Sequence, residues 1–322
     1  MWWMIPAVSA AWLMGRPSTP LPPPPTTALW KPALWTLGAT TTAYVGLAAM
    51  EGLHNRLTDG SYARTLRERK REHALHPRSP RSLVNGGSLS LTVVGLNLAV
   101  YYYGQHNPRN YLKLADCHQM DWKRNWTLLT AAFCHANLKH LCANMTSLVP
   151  EIPHLLHACG QSPYQFVAFY GSAAIFSSYA QRIVSYNRWT HSWTSFFEFT
   201  APRGMGASGV AMAVFAASCL SQPWSSPSFL VSAWGLGYQV SNDIMGLFYS
   251  NEMIGFAAHL AGAIYGAAYT YLNLDHYLWR NLVRFFSGGS NEPSHPKPPT
   301  QPRGNADLDL DEIVRRLNSS IE

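Results

Sequence analysis

The sequence predicts an all-α polytopic membrane protein, with six core spans and one additional N-terminal transmembrane helix before them. Of its 322 residues, 47% are hydrophobic and only 13% are charged, a low share for a soluble globule. The charges are also clustered. The blocks bounded by Arg81 and Arg109, Glu151 and Arg182, Arg203 and Asp243, and Glu252 and Asp275 hold no Asp, Glu, Lys or Arg between their ends. Each block has room for a helix of about 20 residues, the length that crosses a bilayer, and the third has room for two. The blocks are also rich in small residues, as in A-A-H-L-A-G-A-I-Y-G-A-A, which let helices pack closely where lipid supplies no hydrophobic drive for association.

Taken in order, residues 1–32 include R-P-S-T-P-L-P-P-P-P, which cannot be helix and reads as a Pro-rich leader or linker. Residues 33–53 form the additional transmembrane helix. Residues 54–85 are a basic linker whose R-T-L-R-E-R-K-R-E-H reads as a solvated, charged helix. The same charges would also suit anionic lipid headgroups. Core spans follow at 86–104, 137–157, 163–182, 207–221, 228–248 and 254–273, within a core domain of residues 86–275. Between the first two lies an irregular stretch whose Trp122 and Trp126 suit a membrane interface. Residues 276–322 are a hydrophilic, Pro-rich tail, in which D-L-D-L-D-E-I-V-R-R-L reads as a short amphipathic helix without an assigned role. The five cysteines form no C-x-x-C pair and read as small apolar core residues, not as a disulfide framework or metal site.

Ser208 stands in G-M-G-A-S-G-V-A-M, residues 204–212, at the mouth of a charge-free block. A lone serine in an apolar helix is by default structural. Its company changes that reading. His259 is the only histidine of its span, and an ionisable group inside a bilayer is costly enough to suggest function and a partner. Gly262 and Gly266 share its helix face, so another helix can approach there and bring a serine to the imidazole. In F-C-H-A-N-L-K-H-L-C-A-N-M, His140 and Asn144 share a face, while His135 points elsewhere or lies in the preceding loop. The stretch lacks H-E-x-x-H, which disfavours an intramembrane metalloprotease. The second, fourth and sixth core spans run in one direction, placing Ser208 and His259 on the order of 10 Å inside the same membrane face, with His140 and Asn144 near the start of theirs.

These groups suit acyl transfer. A serine hydroxyl needs an adjacent base, here His259, which later protonates the leaving amine. The oxyanion needs preorganised donors, for which Asn144, His140 and the Ser208 N–H are the candidates. No third acidic residue is expected in these spans, so a Ser–His dyad is predicted.

At these residues the chain resembles the rhomboid intramembrane serine proteases. The family's G-x-S-G is matched by Gly206, Ser208 and Gly209, its H-x-x-x-x-H-x-x-x-N by His135, His140 and Asn144, and its A-H-x-x-G-x-x-x-G by Ala258, His259, Gly262 and Gly266. The motifs occur in the family's order, and the resemblance covers residues 86–275. An additional span before the core makes the likeness closest to the mitochondrial, presenilin-associated rhomboid-like group. The chain departs from the family where many members have Trp-Arg and it has Trp126-Thr127, and where bacterial members often have a Tyr beneath the catalytic histidine and it has Met212. A thioether can pack there instead.

The resemblance implies an endopeptidase cutting single-pass membrane proteins in or beside their spanning segment, with Gly or Pro near the cut easing local unwinding. Transmembrane protein substrates and the bilayer are the expected partners, with no nucleic acid, metal or cofactor. The alternatives are a catalytically inactive rhomboid-fold protein that binds and escorts membrane clients, and a small transporter or channel. Residues 1–50 lack Asp and Glu, as in a mitochondrial leader, but have only Arg16 and Lys31 as basic residues. The subgroup resemblance implies the mitochondrial inner membrane. A secretory-pathway membrane is the alternative, which glycosylation at Asn125-Trp126-Thr127 would reveal.

Overall fold

The computed structural model describes residues 30–75, 80–115, 124–191, 205–222, 224–249, 255–272 and 277–288. Among these residues the secondary structure is helical, without a strand. Most of the N-terminal leader and the whole D-L-D-L-D-E-I-V-R-R-L stretch lie outside them. Residues 1–287 form one compact unit and residues 288–322 another, of which only Gly288 is described.

Helix α1 (Trp30–Leu57) takes in the expected additional span, and α2 (Ser61–Leu75) the basic linker. Asp59 and Gly60 turn the chain between them with positive φ. Next come α3 (Pro80–His106), the short α4 (Pro108–Leu114) and the single-turn α5 (Thr127–Thr130). The continuous span expected over 137–157 is instead two helices, α6 (Leu138–Leu148) and α7 (Ile152–Ala158), joined by a 3-10 turn at Val149–Glu151. Pro150 and Pro153 supply no N–H to an unbroken helix, which explains the break. Glu151 in the break accepts from Ser218 Oγ, tying the turn to the neighbouring helix α9 (Ser208–Leu220).

Helix α8 (Pro163–His191) runs well past Arg182, where the third core span was expected to end. Arg182 is only 1% exposed, and its guanidinium donates to Asn125 Oδ1 at 3.2 Å and Thr127 Oγ1 at 3.1 Å. Thr127 stands where many rhomboids carry Arg, and here a guanidinium reaches that residue from α8. The remaining helices are α10 (Pro227–Tyr249), α11 (Phe256–Leu272) and α12 (Tyr277–Phe286).

The nearly all-buried α9 is the hub, touching α6, α7, α8, α10 and α11. Its closest neighbour is α11, and glycines make the approach possible. A Cβ on Gly262 would lie 2.0 Å from Gly209 O, and one on Gly266 2.0 Å from Ala213 O. No side chain larger than hydrogen fits against backbone at that distance.

Helix α1 packs on α8 and α12. Glu51 of α1 accepts from Ser162 Oγ and from Trp279 Nε1, the latter at 2.9 Å, while Tyr44 meets the Trp279 ring edge-on at 5.0 Å. Residues 277–286, expected as the start of a hydrophilic tail, are thus an amphipathic helix that buries Trp279 in the fold.

Among the described residues no helix is long and apolar enough to cross a membrane, which corrects the expectation that helix length and hydropathy would mark seven spans. Helices α9 and α11 have 13 and 17 residues. A crossing takes about 20. The longer α1, α3 and α8 are diluted by Gly, Ser, Thr, Asn and Tyr. Those polar residues are placed unevenly. Asn97, Gln165, Ser172, Ser177 and Ser218 are buried, while Leu91, Val231, Trp234, Phe248, Ile264 and Leu272 are exposed.

Candidate active site

Ser208 is the first residue of α9, so its N–H has no acceptor within the helix. The turn leading to it is held closely. Gly206 has φ +125°, a conformation that favours glycine, and its N–H donates to Ala131 O at 2.9 Å. A Cβ on Gly206 would lie 2.7 Å from His140 Cε1 and 3.2 Å from Asn144 Nδ2. The serine turn therefore rests directly on the face of α6 that carries His140 and Asn144.

That face is set by a cap. The Asn137 side chain accepts from the His140 N–H at 2.8 Å and starts α6, putting His140 in its first turn and Asn144 one turn later. Asn144 is 2% exposed, and its Nδ2 has no hydrogen-bond partner among the described residues. A buried, unspent amide donor beside Gly206 needs an explanation, and an anion formed transiently there would be one. His135 also joins the site, from the loop before α6. Its Nε2 accepts from the Ala207 N–H at 3.4 Å, and its ring meets that of His140 edge-on with centroids 5.3 Å apart.

His259 lies in the first turn of α11. Gly209, next after Ser208, faces Ala258, immediately before His259: a Cβ on Gly209 would be 3.2 Å from Ala258 O and 2.6 Å from Ser177 Oγ of α8. Ser208 and His259 thus flank one of the two closest contacts between α9 and α11, where Gly262 abuts Gly209. No hydrogen bond joins their side chains among the described contacts. Catalytic hydrogen bonds are often loose before substrate binds. Gln181 of α8 holds the start of α11 by accepting from the Ala258 N–H at 3.2 Å. Met212, one turn after Ser208, packs with Ala216 and Ala263 beside Leu236 and Val240, and Gly266 continues the close contact deeper in the bundle.

The expectation that no third acidic residue is available is overturned. Asp243 of α10 is 1% exposed, and its Oδ1 lies 2.9 Å from His259 Nδ1. Asp243 falls inside the span expected over 228–248, and it is the single charged residue of α10. The legible signal was an acid within an otherwise uncharged helix. Among the described residues no group of His, Cys, Asp and Glu is arranged to hold a metal ion.

The arrangement brings a half-buried serine at a helix start, a histidine with one nitrogen engaged and a set of unspent donors to one locus, as acyl transfer to a hydroxyl requires. Residues 123–276 match the family described as Rhomboid domain. The mitochondrial presenilin-associated rhomboid-like proteins of Rattus norvegicus, Mus musculus and Homo sapiens are each 30% identical to the chain over 164 residues. The match covers 48% of this chain, and the chain spans 39% of the length of these curated relatives.

Proposed function

We propose that the chain, whose residues 123–276 match the Rhomboid domain family, is an intramembrane serine endopeptidase that cleaves single-pass membrane proteins in or near their spanning segment. The observation that carries this reading is Asn144 Nδ2, which has no partner among the described residues and is buried against the glycine turn that delivers Ser208.

In the reaction, the Ser208 hydroxyl gives its proton to His259 Nε2 as Oγ attacks the scissile carbonyl. The carbonyl oxygen becomes an anion that accepts from Asn144 Nδ2 and the Ser208 N–H, with His140 alongside. His259 then passes the proton from Nε2 to the leaving amine as the C–N bond breaks. Water, deprotonated by the same nitrogen, hydrolyses the acyl-serine. Gly206, Gly209, Gly262 and Gly266 hold the serine turn and the two helices at the required spacing.

A bilayer setting is supported by the many large apolar side chains left exposed on the helices, among them Val231, Trp234, Phe248 and Leu272. Short or diluted helices remain compatible with it, because bilayers thin and flanking residues adjust around short spans. The similarity to relatives named as mitochondrial supports a mitochondrial membrane, and the inner one is the location proposed. Substrates with Gly or Pro near the cut fit best, since an intact helix hides its carbonyls.

A fluorophosphonate probe tests the chemistry directly. Purified wild-type protein should become covalently labelled, whereas Ser208→Ala and His259→Ala should not. A folded wild type that takes no label while capturing membrane clients would replace the protease by the escort reading.

A further inference from the structure

We propose that Asp243 is a positioning residue for this reaction, fixing the tautomer and orientation of His259 so that the expected dyad works as a triad. The proposal rests on the assignment of Ser208 and His259 above.

Asp243 is the only fully buried residue of α10. Ordinary packing would fill that buried position with an apolar side chain, because burying a carboxylate is costly unless it is paired and hydrogen-bonded. Here it faces an imidazole. Oδ1 accepts from Gln239 Nε2 at 3.2 Å, one turn earlier on the same helix, so it presents itself as an acceptor to His259 Nδ1 at 2.9 Å as well. The ring proton is therefore on Nδ1, and Nε2 is left with the lone pair that a general base needs. Oδ2 is buried without a partner, so among the described residues the histidine and Gln239 are the donors to the carboxylate.

The contact is also held in register. A Cβ on Gly246 would be 2.4 Å from the Phe256 ring, so that ring lies flush on α10 three residues after Asp243 and three before His259. Two contacts at matching steps on helices α10 and α11 fix both the depth and the rotation of the carboxylate relative to the imidazole.

The chemistry balances without another reactant. Ser208 loses its hydroxyl proton to His259 Nε2, the Nδ1–H stays in place, and Asp243 remains a carboxylate that stabilises the cationic ring until the proton leaves with the amine. In a site shielded from water that pairing is worth more than at a surface.

The test compares wild type with Asp243→Asn in proteoliposomes, using a fluorogenic single-span substrate, and reads the histidine tautomer by nitrogen-15 NMR of selectively labelled protein. An asparagine of the same shape can turn its amide N–H toward Nδ1 and drive the ring proton to Nε2. The expected result is a kcat lower on the order of 10²- to 10⁴-fold, with KM within about twofold, an unchanged melting temperature, and His259 protonated on Nδ1 in wild type but not in the variant. Unchanged kcat overturns the proposal. So does a loss of cleavage that comes with a lowered melting temperature or with the Nδ1 proton retained, since the aspartate would then be structural. The wild-type spectrum decides without any cleavage: Nδ1–H supports the assignment even if no substrate is cut, and Nε2–H refutes it even if the enzyme is active. Failure of the protease reading shows separately, as a wild type no faster than Ser208→Ala.

Discussion

One methyl group added at Gly206 would meet His140 and Asn144 at 2.7 and 3.2 Å and would also have to adopt a φ of +125°. Gly206→Ala should therefore tilt the serine turn off its donors and lower kcat on the order of 10²- to 10³-fold, comparable to losing an oxyanion donor. Steady-state cleavage with a melting measurement checks this, and wild-type kcat in the alanine variant would contradict it. At this scale Ser208, His259, His140 and Asn144 were legible in the sequence, because polar residues stand out against apolar spans and their spacing puts them on shared faces. Asp243 and Arg182 were not. Arg182 closes a charge-free block and an expected span, so it reads as the water boundary, whereas Asp243 is an acid inside the span expected over 228–248 whose partner no spacing reveals. Each lies inside its helix and is 1% exposed, paired through the fold with residues distant in sequence. Hydropathy along a chain carries no information about such partners.

Between elements, the α9–α11 seam is the least forgiving part of the structure. Gly262 and Gly266 are backed by main-chain oxygens at 2.0 Å from a built Cβ, and backbone cannot rotate away as a side chain can. Gly262→Ala should destabilise the fold by about 1–3 kcal/mol and separate Ser208 from His259, abolishing probe labelling together with stability. Unfolding in mixed micelles measures it, and an unshifted transition would contradict the packing. The glycine spacing on α11 was readable as a close-approach face, whereas the partner at each glycine was not. The break between α6 and α7 could have been read from Pro150 and Pro153. Apolar residues on both sides of the prolines, Leu148, Val149, Ile152 and Leu155, make the stretch read as one continuous span.

For the whole molecule, the additional helix α1 is bound into the fold by a buried acid. Glu51 gathers Ser162 and Trp279, and Trp279 is 3% exposed. Trp279→Ala should release α12 from α1 at a cost of about 3–5 kcal/mol, seen as faster limited proteolysis near residue 277, while Ser208 keeps its probe reactivity. Equal proteolysis of wild type and variant would contradict that docking. In the sequence this helix falls in the hydrophilic tail, since an amphipathic segment of 10 residues is too short for a span and shows its apolar face only against a partner. The central claim is that Ser208 and His259 form a protease site within a bilayer-embedded helical fold. Cleavage of a single-span substrate by purified protein in proteoliposomes tests it most directly, with wild type beside Ser208→Ala and His259→Ala. The account predicts a defined cut by wild type alone, and would be contradicted by equal cleavage in all three, or by none while all three fold and bind the substrate.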